Sequence, residues 1–324
     1  MLRLSLMIPW IRELKRRKID HLELLEAAGL PTVQPIPTDL FVSSNQVYRF
    51  VNLAAKVAND PYLGARLGLK MDLRDLPQIA TASQSALIVG DFLMRIAINS
   101  EHHQTSLKMG MQVESAKCTF NFVRTFKPDV TPTHLDAYYV GVLLNVLKSA
   151  LASRWSAGEV RVKVCDPDAI PTDLEGLTVI QGDGTVASVT FPSEWMFEWV
   201  DTTVRTWASP ASDELPAPPA TLIDALKSAL RPHIHDTGLT VERSAEICGF
   251  EKRKLSRHLK AKGTTLAKLI ATIRQEEAAK ELSSTNRRIG EIAESVGFKD
   301  PTVFSRAFKN WTGQSPQEYR RNNH

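Results

Sequence analysis

Arg253, Ser256, Arg257 and Lys260 are spaced at i, i+3, i+4 and i+7 near the end of the chain, so on a helix they share one face. An arginine fork can donate two hydrogen bonds at once to guanine O6 and N7, a serine hydroxyl can donate or accept, and a lysine ammonium neutralises a phosphate. These are the groups of a surface that reads duplex DNA. Thr302, Ser305, Arg306 and Lys309 repeat the same intervals 49 residues later.

Each set needs a helix whose other face is buried. Leu255 and Leu259 supply that face for the first set, Phe304 and Phe308 for the second. Upstream of each lies another repeated stretch: Ala245-Glu246-Ile247-Cys248-Gly249-Phe250 recurs as Ala293-Glu294-Ser295-Val296-Gly297-Phe298, an offset of 48. Each copy reads as short helix, glycine turn, second helix, the helix-turn-helix pattern that places one helix in a major groove. Gly249 and Gly297 end the preceding apolar patterns, where a residue free to take positive φ closes a helix cheaply. Asp300 before Pro301 is a helix-start signature, and Thr240 is placed to cap the first helix of copy one. Between the copies, Thr264 to Asn286 reads as one long helix with a stripe of Leu266, Leu269, Ile270 and Ile273. About 20 residues at about 1.5 Å each span roughly 30 Å, close to the ~34 Å between successive major-groove turns on one face of B-DNA.

These residues resemble the AraC/XylS transcription regulators. The resemblance covers about Thr221 to Arg321 and is strongest at Ile289-Gly290-Glu291-Ile292-Ala293, Val296-Gly297-Phe298, Asp300, Phe304-Ser305-Arg306-Ala307-Phe308-Lys309, Gly313, Ser315-Pro316 and Glu318-Tyr319-Arg320. Arg274, Ala278 and Leu282 match the family's linker-helix pattern. It implies a seven-helix DNA-binding unit with two helix-turn-helix motifs, and promoter binding that recruits RNA polymerase. Carried over by position, Arg253, Ser256 and Arg257 face bases in one groove, and Thr302, Val303, Ser305 and Arg306 face the other. Arg306 has a second reading, as a phosphate ligand or the partner of a nearby carboxylate. Lys252, Lys254, Lys260, Lys262 and Lys309 are expected on phosphates, with plain solvated positions as the rival reading. The second recognition helix departs from the family by starting Pro301-Thr302-Val303, short groups that shift discrimination toward the first copy or toward a thymine methyl against Val303.

Charge follows the same division. From Thr221 onward there are 19 Lys+Arg against 12 Asp+Glu, net +7, whereas the preceding 220 residues carry 21 against 24, net −3. Six of the eleven residues from Lys252 to Lys262 are Lys or Arg, on the expected recognition helix. The 324 residues suffice for two buried cores. Ser209 to Ala220 is rich in Pro and Ala without periodicity, which marks a semi-stiff linker. The expected organisation is a sensor or dimerisation domain over 1–208, a linker over 209–220 and a DNA-binding domain over 221–324. The apolar run Leu2 to Ile11 is short, contains Pro9 and precedes its basic cluster rather than following one, so no export or membrane role is expected and the cytoplasm is the expected location. Cys118, Cys165 and Cys248 are too scattered for a disulfide framework or a zinc site.

The first ~208 residues read as α+β: helices at Ile19 to Ala28, Gln46 to Ala58 and His134 to Arg154, and strands within Gln112 to Phe126, Val160 to Val164 and Val186 to Phe191. Gly29-Leu30, Asp60-Pro61, Leu63-Gly64 and Leu67-Gly68 resemble the arabinose-binding-like domain of one AraC-type branch. That implies sensing of a small effector or formation of a homodimer. Little here points to catalysis, a metal or a cofactor. His102 and His103 are adjacent, so they point different ways on a helix, and no ligand spacing completes them. No phosphate-binding glycine loop, GxSxG or HExxH occurs. Trp195, Phe197, Trp199 and Trp207 are candidates to line an apolar effector pocket, with core or interface packing as the competing reading; Tyr138 and Tyr139 support no stronger claim. Three functions compete: an effector-responsive regulator, a constitutive DNA binder whose first domain only dimerises, and an enzyme with a DNA-binding appendage.

Overall fold

Alternating apolar positions in the first part of the chain are answered by a five-stranded sheet with one long helix behind it. A computed structural model describes residues 1–32, 40–174, 176–205, 221–248 and 252–323. Contacts divide the chain into two units, Met1–Pro218 and Pro219–His324. The expected linker over 209–220 lies outside the described residues.

In the first unit β1 (Leu2–Arg3) pairs with β2 (Phe41–Val42). The large sheet runs in the order β3 (Leu107–Glu114), β4 (Lys117–Arg124), β7 (Val186–Pro192), β5 (Arg161–Val164), β6 (Thr178–Gln181), antiparallel except between β5 and β6. On β4 the period of two puts Cys118, Phe120, Phe122 and Arg124 inside. The strands expected within Gln112 to Phe126 are the last three residues of β3 and the whole of β4, joined by a turn, and β3 begins five residues earlier, at Leu107. Ser115 makes that turn at φ 50°, with no Gly, Pro or Asn to announce it.

Six helices precede or flank β3: α1 (Ile8–Arg16), α2 (His21–Ala27), α3 (Ser44–Val57), α4 (Leu63–Lys70), α5 (Pro77–Ser83) and α6 (Val89–Ser100). Then come α7 (Thr133–Leu151), which packs on β5 and β7, and the short α8 (Thr202–Arg205). The opening apolar run is core: Leu2, Leu4, Met7, Trp10 and Ile11 are all buried. The Leu63-Gly64 and Leu67-Gly68 signature gains a reason in the crossing of α4 and α7. A Cβ at Gly64 would lie 2.1 Å from the His134 carbonyl oxygen, and one at Gly68 2.5 Å from that of Tyr138, so only glycine permits this approach. The helix from Thr133 to Arg154 is long and apolar enough to cross a membrane by composition, but 72% of its apolar window is buried in the protein. Where α7 meets β4, the guanidinium of Arg124 pairs with the carboxylate of Asp136, their side chains 1% and 2% exposed.

The second unit carries α9 (Leu222–Leu230), α10 (Val241–Ile247), α11 (Lys252–Ala261), α12 (Leu266–Ser284), α13 (Ile289–Ser295), α14 (Pro301–Thr312) and α15 (Pro316–Asn323), and no strand among its described residues. The long helix read over Thr264 to Asn286 is α12, capped by the Thr265 hydroxyl, which accepts from the Lys268 N–H at 3.2 Å. Its buried residues form two stripes. Leu266, Leu269, Ile270 and Ile273 occupy one face, while Ala278 and Leu282, at 100° per residue, fall nearly opposite. Ala278 and Leu282 join a core with Ile292, Ala293, Val296, Phe304 and Phe308. α9 and α10 pack on α12 as well, and Lys227 of α9 and Arg231 just beyond its end pair with Glu276, at 2.5 and 2.8 Å.

Candidate nucleic-acid interface

The first candidate recognition helix, α11, is positioned by α10. The Thr240 hydroxyl caps α10 by accepting from the Arg243 N–H at 3.1 Å, as expected from its place in the sequence. On α11, Leu255 and Leu259 are buried, and Arg253, Ser256, Arg257 and Lys260 are exposed along the opposite face. Lys262 is exposed just beyond the helix. Lys252 is exposed too, and its ammonium pairs with Glu242 of α10. Both partners are more than half exposed, so the pair is weak and a phosphate can replace it. Gly249, Phe250 and the side chain of Lys254 lie outside the described residues.

The second candidate, α14, is anchored from three sides. At its start the Asp300 carboxylate accepts from the Thr302 N–H at 2.7 Å, with Pro301 in the first helical position. That backbone bond, helped by the Thr302 hydroxyl and the nearby Arg306 charge, holds the carboxyl below its usual range. Before it, α13 starts with the Arg288 N–H donating to Glu291 Oε2 at 2.9 Å. The turn between the helices passes through Gly297 at φ 81°, where the Gly297 and Phe298 N–H groups donate to the carbonyls of Glu294 and Ala293 at 3.0 and 2.9 Å. Phe298 then packs edge-on against Phe304 and Trp311, beneath the guanidinium of Arg274 of α12 at 5.2 Å. Arg274, which sequence reasoning noted only as a family match, thus fixes the turn of the second helix pair. Its signal was invisible locally, because its contact lies far along the chain.

On α14 itself Phe304 and Phe308 are fully buried, and Thr302, Val303, Arg306 and Lys309 are exposed. Ser305 is half-buried and donates to the Pro301 carbonyl at 2.8 Å, leaving its oxygen only as an acceptor for a base. Among the described residues, Arg306 makes no ion pair with a carboxylate, and neither do Arg253 and Arg257. The two exposed faces therefore present cations with open valence beside small polar groups.

The first unit gives a different answer for its sequence candidates. Trp195 is core, stacked on Phe191 at 6.0 Å and tilted against Trp155 at 5.7 Å. Phe197 and Trp199 are 76% and 68% exposed, so these three do not gather around a cavity; Trp207 lies outside the described residues. The reason is local: a short 3-10 turn over Ser193–Phe197 turns Trp195 inward and the later rings outward. His103 is buried, and its imidazole is pulled down to about 4 by burial and by the neighbouring charge of Arg3. No group of three His, Cys, Asp or Glu side chains converges among the described residues.

Residues 244–322 match a family model described as a helix-turn-helix domain, and residues 19–177 match one described as the arabinose-binding domain of the AraC transcription regulator. The chain is 38% identical over 80 residues to the ornithine utilization regulator of Pseudomonas aeruginosa, spanning 25% of this chain and 24% of that one. It is 40% identical over 83 residues to the bifunctional transcriptional activator/DNA repair enzyme AdaA of Bacillus subtilis, 25% of this chain and 39% of that one. It is 32% identical over 89 residues to the multiple antibiotic resistance protein MarA of Escherichia coli, 27% of this chain and 70% of that one. The matched segment thus covers only about a quarter of the ornithine regulator but most of MarA.

Proposed function

The chain belongs to the AraC/XylS family of transcription regulators, and from that premise we propose that it is a sequence-specific promoter-binding protein controlled through its first domain. The observation that carries the reading is the pair of corresponding exposed faces, Arg253, Ser256, Arg257 and Lys260 on α11 and Thr302, Ser305, Arg306 and Lys309 on α14. Each is held rigidly by a buried opposite face. The two helices enter successive major grooves, and the 19 residues of α12 span roughly 28 Å at 1.5 Å each. Arg253, Ser256, Arg257, Thr302, Val303, Ser305 and Arg306 contact bases, with Arg257 and Arg306 the bidentate donors to guanine. Lys252, Lys254, Lys260, Lys262 and Lys309 hold phosphates and set the register. Residues 1–208 sense an effector or dimerise, and 209–220 link them to the DNA-binding domain. The bound protein engages RNA polymerase in the cytoplasm, and no catalysis is assigned to it.

Two substitutions test the division of roles. Arg257→Ala is expected to weaken the preferred site by roughly 1–3 kcal/mol and relax preference at one base pair, whereas Lys260→Ala weakens all sequences alike and flattens the salt slope by about one. Indistinguishable behaviour of the two variants across a set of mutated sites would remove the assignment.

A further inference from the structure

We propose that the first domain takes its effector into an apolar cavity framed by α5, α6, β4 and α7, and that the ligand is an uncharged, largely hydrocarbon molecule with one hydroxyl or amide. The inference rests on reading that domain as the sensing half of a regulator, and it adds the site and the ligand class.

Met7, Ile79, Met109, Phe120 and Val142 supply much of the lining, and among the described residues no charged side chain lines the cavity. A carboxylate or ammonium buried there would lose its hydration with nothing in return. The polar groups are few, and most are already engaged. Tyr139 donates to Gln104 Oε1 at 3.1 Å, and Tyr138 donates to the Met71 sulfur at 3.4 Å. Burial raises both phenols above their ordinary range, so they stay neutral. Gln78 is the exception: its side chain is buried in the lining, yet its Oε1 has no hydrogen-bond partner. A buried acceptor left unmade is costly, and one ligand O–H or N–H would satisfy it.

The same count argues against a polyhydroxylated sugar, although the matching family model is named for arabinose. Such a ligand would bring several hydroxyls to a wall whose one wholly unpartnered acceptor is Gln78 Oε1, the phenol oxygens of Tyr138 and Tyr139 adding only second lone pairs. The cavity measures about 40 Å³, room for little more than a water, so the ligand must part the lining as it enters. Met7 and Met109 suit that demand, because an unbranched thioether repacks at low cost.

The test uses the full-length protein and N-phenyl-1-naphthylamine, an uncharged fluorescent probe with one N–H. Saturable enhancement is expected, reversed by 1-decanol but not by equal concentrations of decanoate or L-arabinose. Val142→Phe, which fills the cavity from its rim, should abolish the enhancement. Gln78→Leu keeps size while removing the amide, and should weaken 1-decanol about tenfold, the worth of one hydrogen bond. No saturable binding, displacement by arabinose, or binding indifferent to both variants overturns the site. Anisotropy of labelled promoter DNA on the same samples separates the two readings. DNA binding that persists without probe binding removes the cavity alone. Probe binding that leaves DNA affinity unchanged removes its role as the effector site.

Discussion

A methyl group at Gly297 would lie 2.4 Å from the Ile234 carbonyl oxygen and 2.9 Å from the Arg274 guanidinium, on a backbone already at φ 81°. Gly297→Ala is therefore expected to cost roughly 2 kcal/mol or more, seen as a lower urea midpoint followed by tryptophan fluorescence. An unchanged midpoint would mean the turn relaxes freely. Asp300 makes a pH-dependent claim. Its carboxyl is held below the usual range by the Thr302 N–H, so its contribution is fully present above the ordinary value of 3.8 and is lost as pH falls through the depressed folded value. Asp300→Ala should melt below the parent at neutral pH, and the gap should close on strong acidification; a gap that is constant with pH contradicts the cap. At this scale the exposed faces were legible from spacing alone, since Leu255, Leu259, Phe304 and Phe308 fix which side is inside. The backbone approach to Gly297 was not, because Ile234 meets it only in the folded unit.

Between elements, the pairing of Arg124 on β4 with Asp136 on α7 is a buried charge pair with almost no exposure on either side. Asp136→Ala strands the guanidinium and should cost about 3–5 kcal/mol, whereas replacing both partners with apolar residues should cost far less. Urea denaturation of both variants checks this, and equal losses would show that packing rather than charge governs the joint. Helix periods made α2, α3, α7 and α12 readable. Several elements escaped: α1, α4, α5 and α6 lie in stretches where Pro9, Gly64, Gly68, Pro77 and Gly90 interrupt the pattern, and the β3–β4 hairpin turns on Ser115 with no Gly, Pro or Asn beside it. The near-opposite stripes of α12 also blur its amphipathic signal, because one helix serves packing on two sides.

For the whole molecule, charge was the most legible property: net +7 from Thr221 onward against −3 before it, with the basic excess on α11. The cavity proposed for the effector was the least legible. A cavity is made by residues distant in sequence, here Met7, Gln78, Phe120 and Val142, whereas the aromatic cluster that stood out locally, Trp195, Phe197 and Trp199, divides between core and surface. The central claim is that two helices read a specific promoter rather than phosphates alone. It is tested most directly by fluorescence anisotropy of the full-length protein on the DNA upstream of its own gene, against random duplex, across a salt series. A preference for the upstream DNA that persists at physiological salt is the predicted result. Equal, weak binding to both duplexes that collapses steeply with salt would contradict it, since only the phosphate contribution would then be present.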